Sequence, residues 1–153
     1  METIKFRAKD EDTNEWLYGY YTEFATNEGR QVNVIVTEES KYRKALGVIP
    51  YTLGQFSSFY DKDNNEIYHG DILELSLEND KVIKVICWFG NAQRTLYYGE
   101  FVEIRGFSFI VPGGKRSFPV IENYQGKHDV EIMKIIGNIW DNSDLIDKDE
   151  YKL

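Results

Sequence analysis

Residues 53–77 read LGQFSSFYDKDNNEIYHGDILELSL, and the punctuation of this stretch decides the fold. Two apolar and aromatic runs, residues 53–60 and 67–77, flank the polar run Asp61-Lys62-Asp63-Asn64-Asn65. Aromatic and β-branched side chains suit a pleated, half-buried surface. Asn accepts the left-handed backbone that a tight hairpin turn demands. The stretch therefore predicts two antiparallel strands and a short turn between them.

The same signals continue on both sides. Ile4, Phe6 and Ala8 alternate with Lys5, Arg7 and Lys9, the period of a half-buried strand. Residues 16–21 and 32–37 predict two more strands, set off by the polar residues 10–15 and by Thr26-Asn27-Glu28-Gly29. Residues 38–46 form the best helical stretch, closed by Gly47 and blocked from continuing by Pro50. Toward the C-terminus, residues 82–89, 95–104, 107–111, 118–121 and 130–140 read as strands. Their breaks include Gly90-Asn91, Arg105-Gly106 and Pro112-Gly113-Gly114. Residues 141–153, with Asp141, Asp144, Asp147, Asp149 and Glu150, read as a short helical turn and a frayed acidic tail. About eight to ten strands at this turn spacing predict a mainly antiparallel all-β fold. The expected form is a small barrel or sandwich with at most one or two short helices. Residues 1–153 read as a single domain, and a subdomain boundary would fall near residues 41–50.

Composition narrows the function classes. Apolar residues make up 42% and charged residues 29% of the 153, which excludes disorder along the whole length. Eighteen basic against 26 acidic residues give a net charge of −8, a field that repels nucleic acid. The lone Cys87 lies in the apolar run 82–89, has no intrachain partner and reads as a buried thiol. No apolar run approaches the roughly 18–20 residues of a membrane-spanning helix, and Met1-Glu2-Thr3-Ile4-Lys5-Phe6-Arg7 has no signal-peptide core. A soluble protein made and kept in a cytoplasm is expected.

Each chemical candidate meets a structural reading. Residues 61–65 begin like a calcium loop, but Glu66 and Ile72 stand where an EF-hand needs Gly and Glu. His69 precedes Gly70-Asp71 and His128 precedes Asp129, yet adjacent strand residues face opposite ways and make no dyad. Pro112-Gly113-Gly114-Lys115-Arg116-Ser117 lacks P-loop spacing and reads as a hairpin loop with a local positive spot at Lys115 and Arg116. Lys5, Arg7 and Lys9, and Lys41, Arg43 and Lys44, could pair with Trp16, Tyr18 and Tyr20 to meet single-stranded nucleic acid. Lysines guarding a strand edge explain them better. A carboxylate pair such as Asp71 with Glu66 or Asp141 would be needed for hydrolysis. No catalytic, cofactor-binding or metal-ligating residue is assigned. The 11 Tyr, 9 Phe and 3 Trp exceed what one small core needs, which points to self-association. Tyr97 and Tyr98 are neighbours, and in a strand one of them would face solvent.

Three segments in order carry a resemblance. They are Ile4-Lys5-Phe6-Arg7-Ala8-Lys9-Asp10 with Trp16 and Tyr18-Gly19; Thr52-Leu53-Gly54-Gln55-Phe56 with residues 61–68 and Gly70-Asp71-Ile72-Leu73; and Ile135-Ile136-Gly137-Asn138-Ile139-Trp140-Asp141-Asn142. Together the chain resembles the YopX family of bacteriophages and prophages over residues 3–146. The family usually carries Asn-Gly where this chain has Asn64-Asn65, and often an acidic residue where it has His69. The resemblance implies an all-β fold, phage origin and homo-oligomers, and supplies no established activity. On physical grounds Gly54 and Gly70 would relieve crowding or supply positive φ, Asp71 would satisfy backbone donors, and Gly137 would permit close approach or a bulge.

The expected function is therefore that of a phage or prophage accessory protein, non-catalytic, acting by protein binding as a homo-oligomer. The expected partner is a host or phage protein, with no membrane and no cofactor. The alternatives are a nucleic-acid-related role, by weak DNA or RNA binding or as an acidic DNA mimic, and a carboxylate-dependent hydrolase.

Overall fold

Among the described residues, eleven strands run in the order β1 (Phe6–Lys9), β2 (Trp16–Ala25), β3 (Gln31–Thr37), β4 (Lys44–Gly47), β5 (Gly54–Tyr60), β6 (Glu66–Tyr68), β7 (Asp71–Ser76), β8 (Val82–Thr95), β9 (Phe101–Ile110), β10 (Arg116–Ser117) and β11 (Met133–Asn138). The one α-helix among them, α1, spans Lys148–Tyr151. The computed structural model describes residues 4–37, 44–77, 81–118 and 132–153. Every strand pairing with an assigned register is antiparallel, so the chain is all-β as its period-two pattern predicts. It divides into two units, Met1–Phe56 and Ser57–Leu153.

In the first unit the strands lie in the order β4-β3-β2-β1-β5. Its core is Ala8, Ile35 and Val48, packed by Phe6, Leu17 and Leu53. Two expectations change here. Lys44–Gly47, the end of the stretch with helical character, is strand β4, paired with Val34–Thr37 of β3. A stretch that short gains little as an isolated helix, and ladder hydrogen bonds to a neighbouring strand outweigh its propensity. Residues 38–43 lie outside the described residues. Strand β1 pairs with β2 on one side and β5 on the other, so its cations guard no edge. Arg7 is instead buried with its guanidinium 4.8 Å from the Trp16 ring centroid, and Lys9 caps the same ring at 5.6 Å. Each is a cation–π contact between cross-strand neighbours.

The second unit holds a five-stranded sheet in the order β10-β9-β8-β7-β11. One face buries Leu73, Val85, Cys87, Phe109 and Met133 together with Ile67. The other buries Ile72, Ile86 and Ile110 under Ile139, Leu145, Ile146 and Tyr151. Cys87 is thus the buried thiol that its apolar run predicts. The C-terminal segment is docked rather than frayed: Tyr151 is 4% exposed, and its hydroxyl donates to the Lys84 carbonyl at 2.9 Å. An apolar ring with a satisfied hydroxyl outweighs the repulsion among the surrounding acidic residues.

Strands β8 and β9 also depart from expectation. The apparent breaks at Gly90-Asn91 and Arg105-Gly106 are cross-strand partners inside one continuous ribbon, Gly90 opposite Gly106 and Asn91 opposite Arg105. The true reversal lies at residues 96–100, where Tyr98 takes φ +70 and Gly99 φ +80. Strand β7 reaches β8 only between Val82 and Ile86, and β10 reaches β9 only at Phe109 and Ile110. Among the described residues, the ribbon from Trp88 to Thr95 and back from Phe101 to Ser108 is therefore paired with itself alone. It forms an arm about 25 Å long at ~3.3 Å per residue.

Candidate functional site

The turn at residues 61–65 is built on one carboxylate. Asp61 is 5% exposed, and its Oδ1 accepts from the backbone N–H groups of Asp63 and Asn65, both at 2.9 Å. The Asn65 side-chain amide donates to both oxygens. Oδ2 also accepts the Ile135 N–H at 3.1 Å, tying the turn to β11. Burial pushes the carboxyl up, but the Asn65, Ile135 and Asp63 donors together hold it below the ordinary carboxylate range. Its oxygens are thus satisfied by N–H groups, and the turn reads as an Asx hairpin rather than a calcium loop. Asn64 takes φ +66, the conformation its residue type predicts.

Eight residues on, the chain bends again at His69-Gly70. Gly70 has φ +85, and a Cβ on it would overlap the Trp140 ring. The bend splits the run 67–77 into β6 and β7. Asp71, 1% exposed, accepts the Tyr68 N–H at 2.7 Å across the bend, the donor-satisfying role its position suggests. Asp71 is also paired in register with Asn138 of β11. Strand β11 carries a register shift between Ile135 and Gly137, and a Cβ on Gly137 would run into the Asn142 side chain. Asn138 Oδ1 then accepts from Trp140 and Asp141, closing the next turn. So the second and third segments of the sequence signature meet here: Gly70 against Trp140, Asp71 beside Asn138, Asp61 on Ile135.

The YopX protein family matches residues 5–147, which spans all of this geometry. The chain belongs to the YopX protein family. No curated protein was found to match the sequence.

In this YopX chain the remaining candidates are dispersed or structurally engaged. His69 accepts the Phe89 N–H on Nδ1 at 3.0 Å, which leaves the proton of a neutral ring on Nε2. Its ring lies 4.5 Å from that of Trp88 and 6.2 Å from that of Trp140. Glu66 accepts the Tyr68 hydroxyl, whereas Asp141 is exposed and accepts from the Asn138 amide, so each acid paired with Asp71 in the sequence has its own partner. Asp63 forms an exposed ion pair with Lys134 at 3.7 Å. His128, Lys41 and Arg43 lie outside the described residues. No group of three or more His, Cys, Asp or Glu side chains among the described residues could hold a metal ion. No helix among them is long and apolar enough to cross a membrane.

Two features escape a reading by motif. One is the arm tip, where Leu96 (44%), Phe101 (61%), Val102 (40%) and the fully exposed Tyr98 stand in solvent. Exposure of Tyr98 agrees with the expectation for the 97–98 pair, but its cause is a turn and not a strand. The other is the sheet face where Trp88, His69 and Trp140 gather and where Arg116 stacks on Trp88 at 5.5 Å. Only the Lys115-Arg116 positive spot hinted at it.

Proposed function

We propose that the chain is a phage or prophage accessory protein that acts by binding protein in the bacterial cytoplasm. Copies associate through the arm tip, and the oligomer meets a host or phage protein. One observation carries this reading: a self-paired ribbon that ends in four exposed apolar side chains. A two-stranded ribbon is marginal alone in water, and contiguous exposed apolar surface marks an interaction site. Charge favours a second copy as the occupant. The chain carries −8, whereas the ribbon's Arg94 and Arg105 balance Glu100 and Glu103. Two copies therefore repel least where their arms meet. Tyr and other aromatic residues are the types enriched at such contacts.

Native mass spectrometry of the tagged protein drawn from infected cells tests the reading. Multiples of 18.0 kDa with a stoichiometric host or phage protein would support it. A bare 18.0 kDa species at micromolar concentration would overturn it.

A further inference from the structure

Arg116 is a cation placed where a fold has no reason to keep one. It lies opposite Ile110, which lies opposite Ile86, on the sheet face that buries Ile72 and Tyr151. Its guanidinium is held over the Trp88 ring, 5.5 Å from the centroid. Nη1 is out of solvent and has no hydrogen-bond partner. Burial lowers its affinity for a proton below the ordinary value. Helix α1 brings acidic residues to the same loop, since the Gly113 N–H donates to the Glu150 carbonyl, yet among the described residues no carboxylate reaches Nη1. A desolvated N–H with no acceptor costs stability, and an apolar side chain of similar size would avoid that cost.

The surroundings suit an anion. The Lys152 stem packs on Gly114, two residues before Arg116. Lys115 is exposed beside it. A guanidinium stacked on an indole is held as a planar fork, the shape that meets two oxygens of a carboxylate or phosphate. The side chain as a whole is only part-buried and Nη1 alone is fully out of solvent, so the rest of the guanidinium can meet a ligand while it stays on the indole.

We infer that Arg116, backed by Trp88, forms a receptor for an oxyanion, a carboxylate or phosphate group carried by a ligand. This goes beyond association through the arm and does not depend on it. The ligand would be drawn by charge and oriented by the fork, with the indole face beside it for an apolar or planar portion.

The test is a titration of the full chain, labelled with nitrogen-15, with sodium acetate, sodium phosphate and sodium chloride at constant ionic strength. The readouts are the Arg116 Nε–H and Trp88 indole N–H signals. Saturable shifts with acetate or phosphate, beyond those with chloride, are expected. Acetate alone would name a carboxylate ligand and phosphate alone a phosphorylated one. Arg116→Lys keeps the charge but loses the fork, so its affinity should fall about tenfold. In Arg116→Gln the shifts of Trp88 should vanish, while the remaining amide signals show the fold intact. Wild-type shifts no larger than with chloride would overturn the inference. So would shifts of equal size and midpoint in Arg116→Gln or Arg116→Lys.

Discussion

Two regions of the second unit are built in opposite ways. Around Asp61, Gly70 and β11, each bend is fixed by a specific side chain: Asp61 ties its own turn to Ile135, Asp71 spans the bend to Tyr68, and Trp140 packs on Gly70. Beyond its root, where His69 accepts the Phe89 N–H, the β8–β9 arm is held among the described residues by its own ladder, with Phe89 and Phe107 paired at 5.0 Å and Arg105 over Phe89. The first region is a frame in which several contacts fix one geometry. The second is a projection whose tip no described residue covers. Rigidity and availability are thus assigned to different segments, as expected when recognition sits on a loop carried by a fixed scaffold.

The comparison makes unequal predictions. The largest effect is expected from Gly70→Val, which introduces a side chain against Trp140 at φ +85. It should cost about 3 kcal/mol or more and lower the melting temperature by roughly 10 °C, with loss of soluble yield. Wild-type melting would break the claim that the bend is a fixed point.

Asp61→Asn should come next, at about 2–3 kcal/mol at neutral pH, since buried N–H donors lose a charged acceptor. The sign of its pH dependence follows from the shift. The folded carboxyl lies below its unfolded value near about 3.9, so its contribution is complete above that pH. It is lost as pH falls through the folded value. Urea unfolding at pH 7 and below pH 3 should therefore show the gap between wild type and Asp61→Asn closing in acid. A gap of constant size would show that the carboxylate's charge is not what holds β11.

Gly137→Val should cost about 1–3 kcal/mol, because Asn142 sits at a turn and can shift in part. Thermal melts of the purified variant would check it, and an unchanged melt would remove the packing role of that glycine. The smallest effect on stability belongs to the arm. Tyr98→Gly keeps the positive φ at no steric cost, which offsets the greater freedom it gives the unfolded chain, so stability should change by no more than about 1 kcal/mol in a thermal melt. A large loss of stability would show that the tip is folded into the frame after all.

The sequence makes the frame legible for a physical reason. Asp61, Asn64, Gly70, Asp71 and Gly137 are residue types whose side-chain or backbone chemistry permits few roles, so each announces its turn or bulge. Strand content is equally legible from alternation. The arm is not. Gly90 and Gly106 look like breaks in a one-dimensional reading and turn out to face each other across a ladder, a fact that only pairing supplies. The real turn rests on a tyrosine at positive φ, which no propensity predicts. Strand β4 is hidden for a similar reason, because its conformation is set by β3 and not by residues 44–47 themselves. The Arg116 face was half visible, as a pair of cations without the tryptophan that holds one of them.

Light scattering on purified protein at micromolar concentration tests the central claim most directly, comparing wild type with the combined variant Leu96→Ser, Tyr98→Gly, Phe101→Ser. Wild type should have a mass that is a multiple of 18.0 kDa, and the variant should have 18.0 kDa with an unchanged melting temperature. A wild-type mass of 18.0 kDa, or a variant that keeps the wild-type mass, would contradict association through the arm.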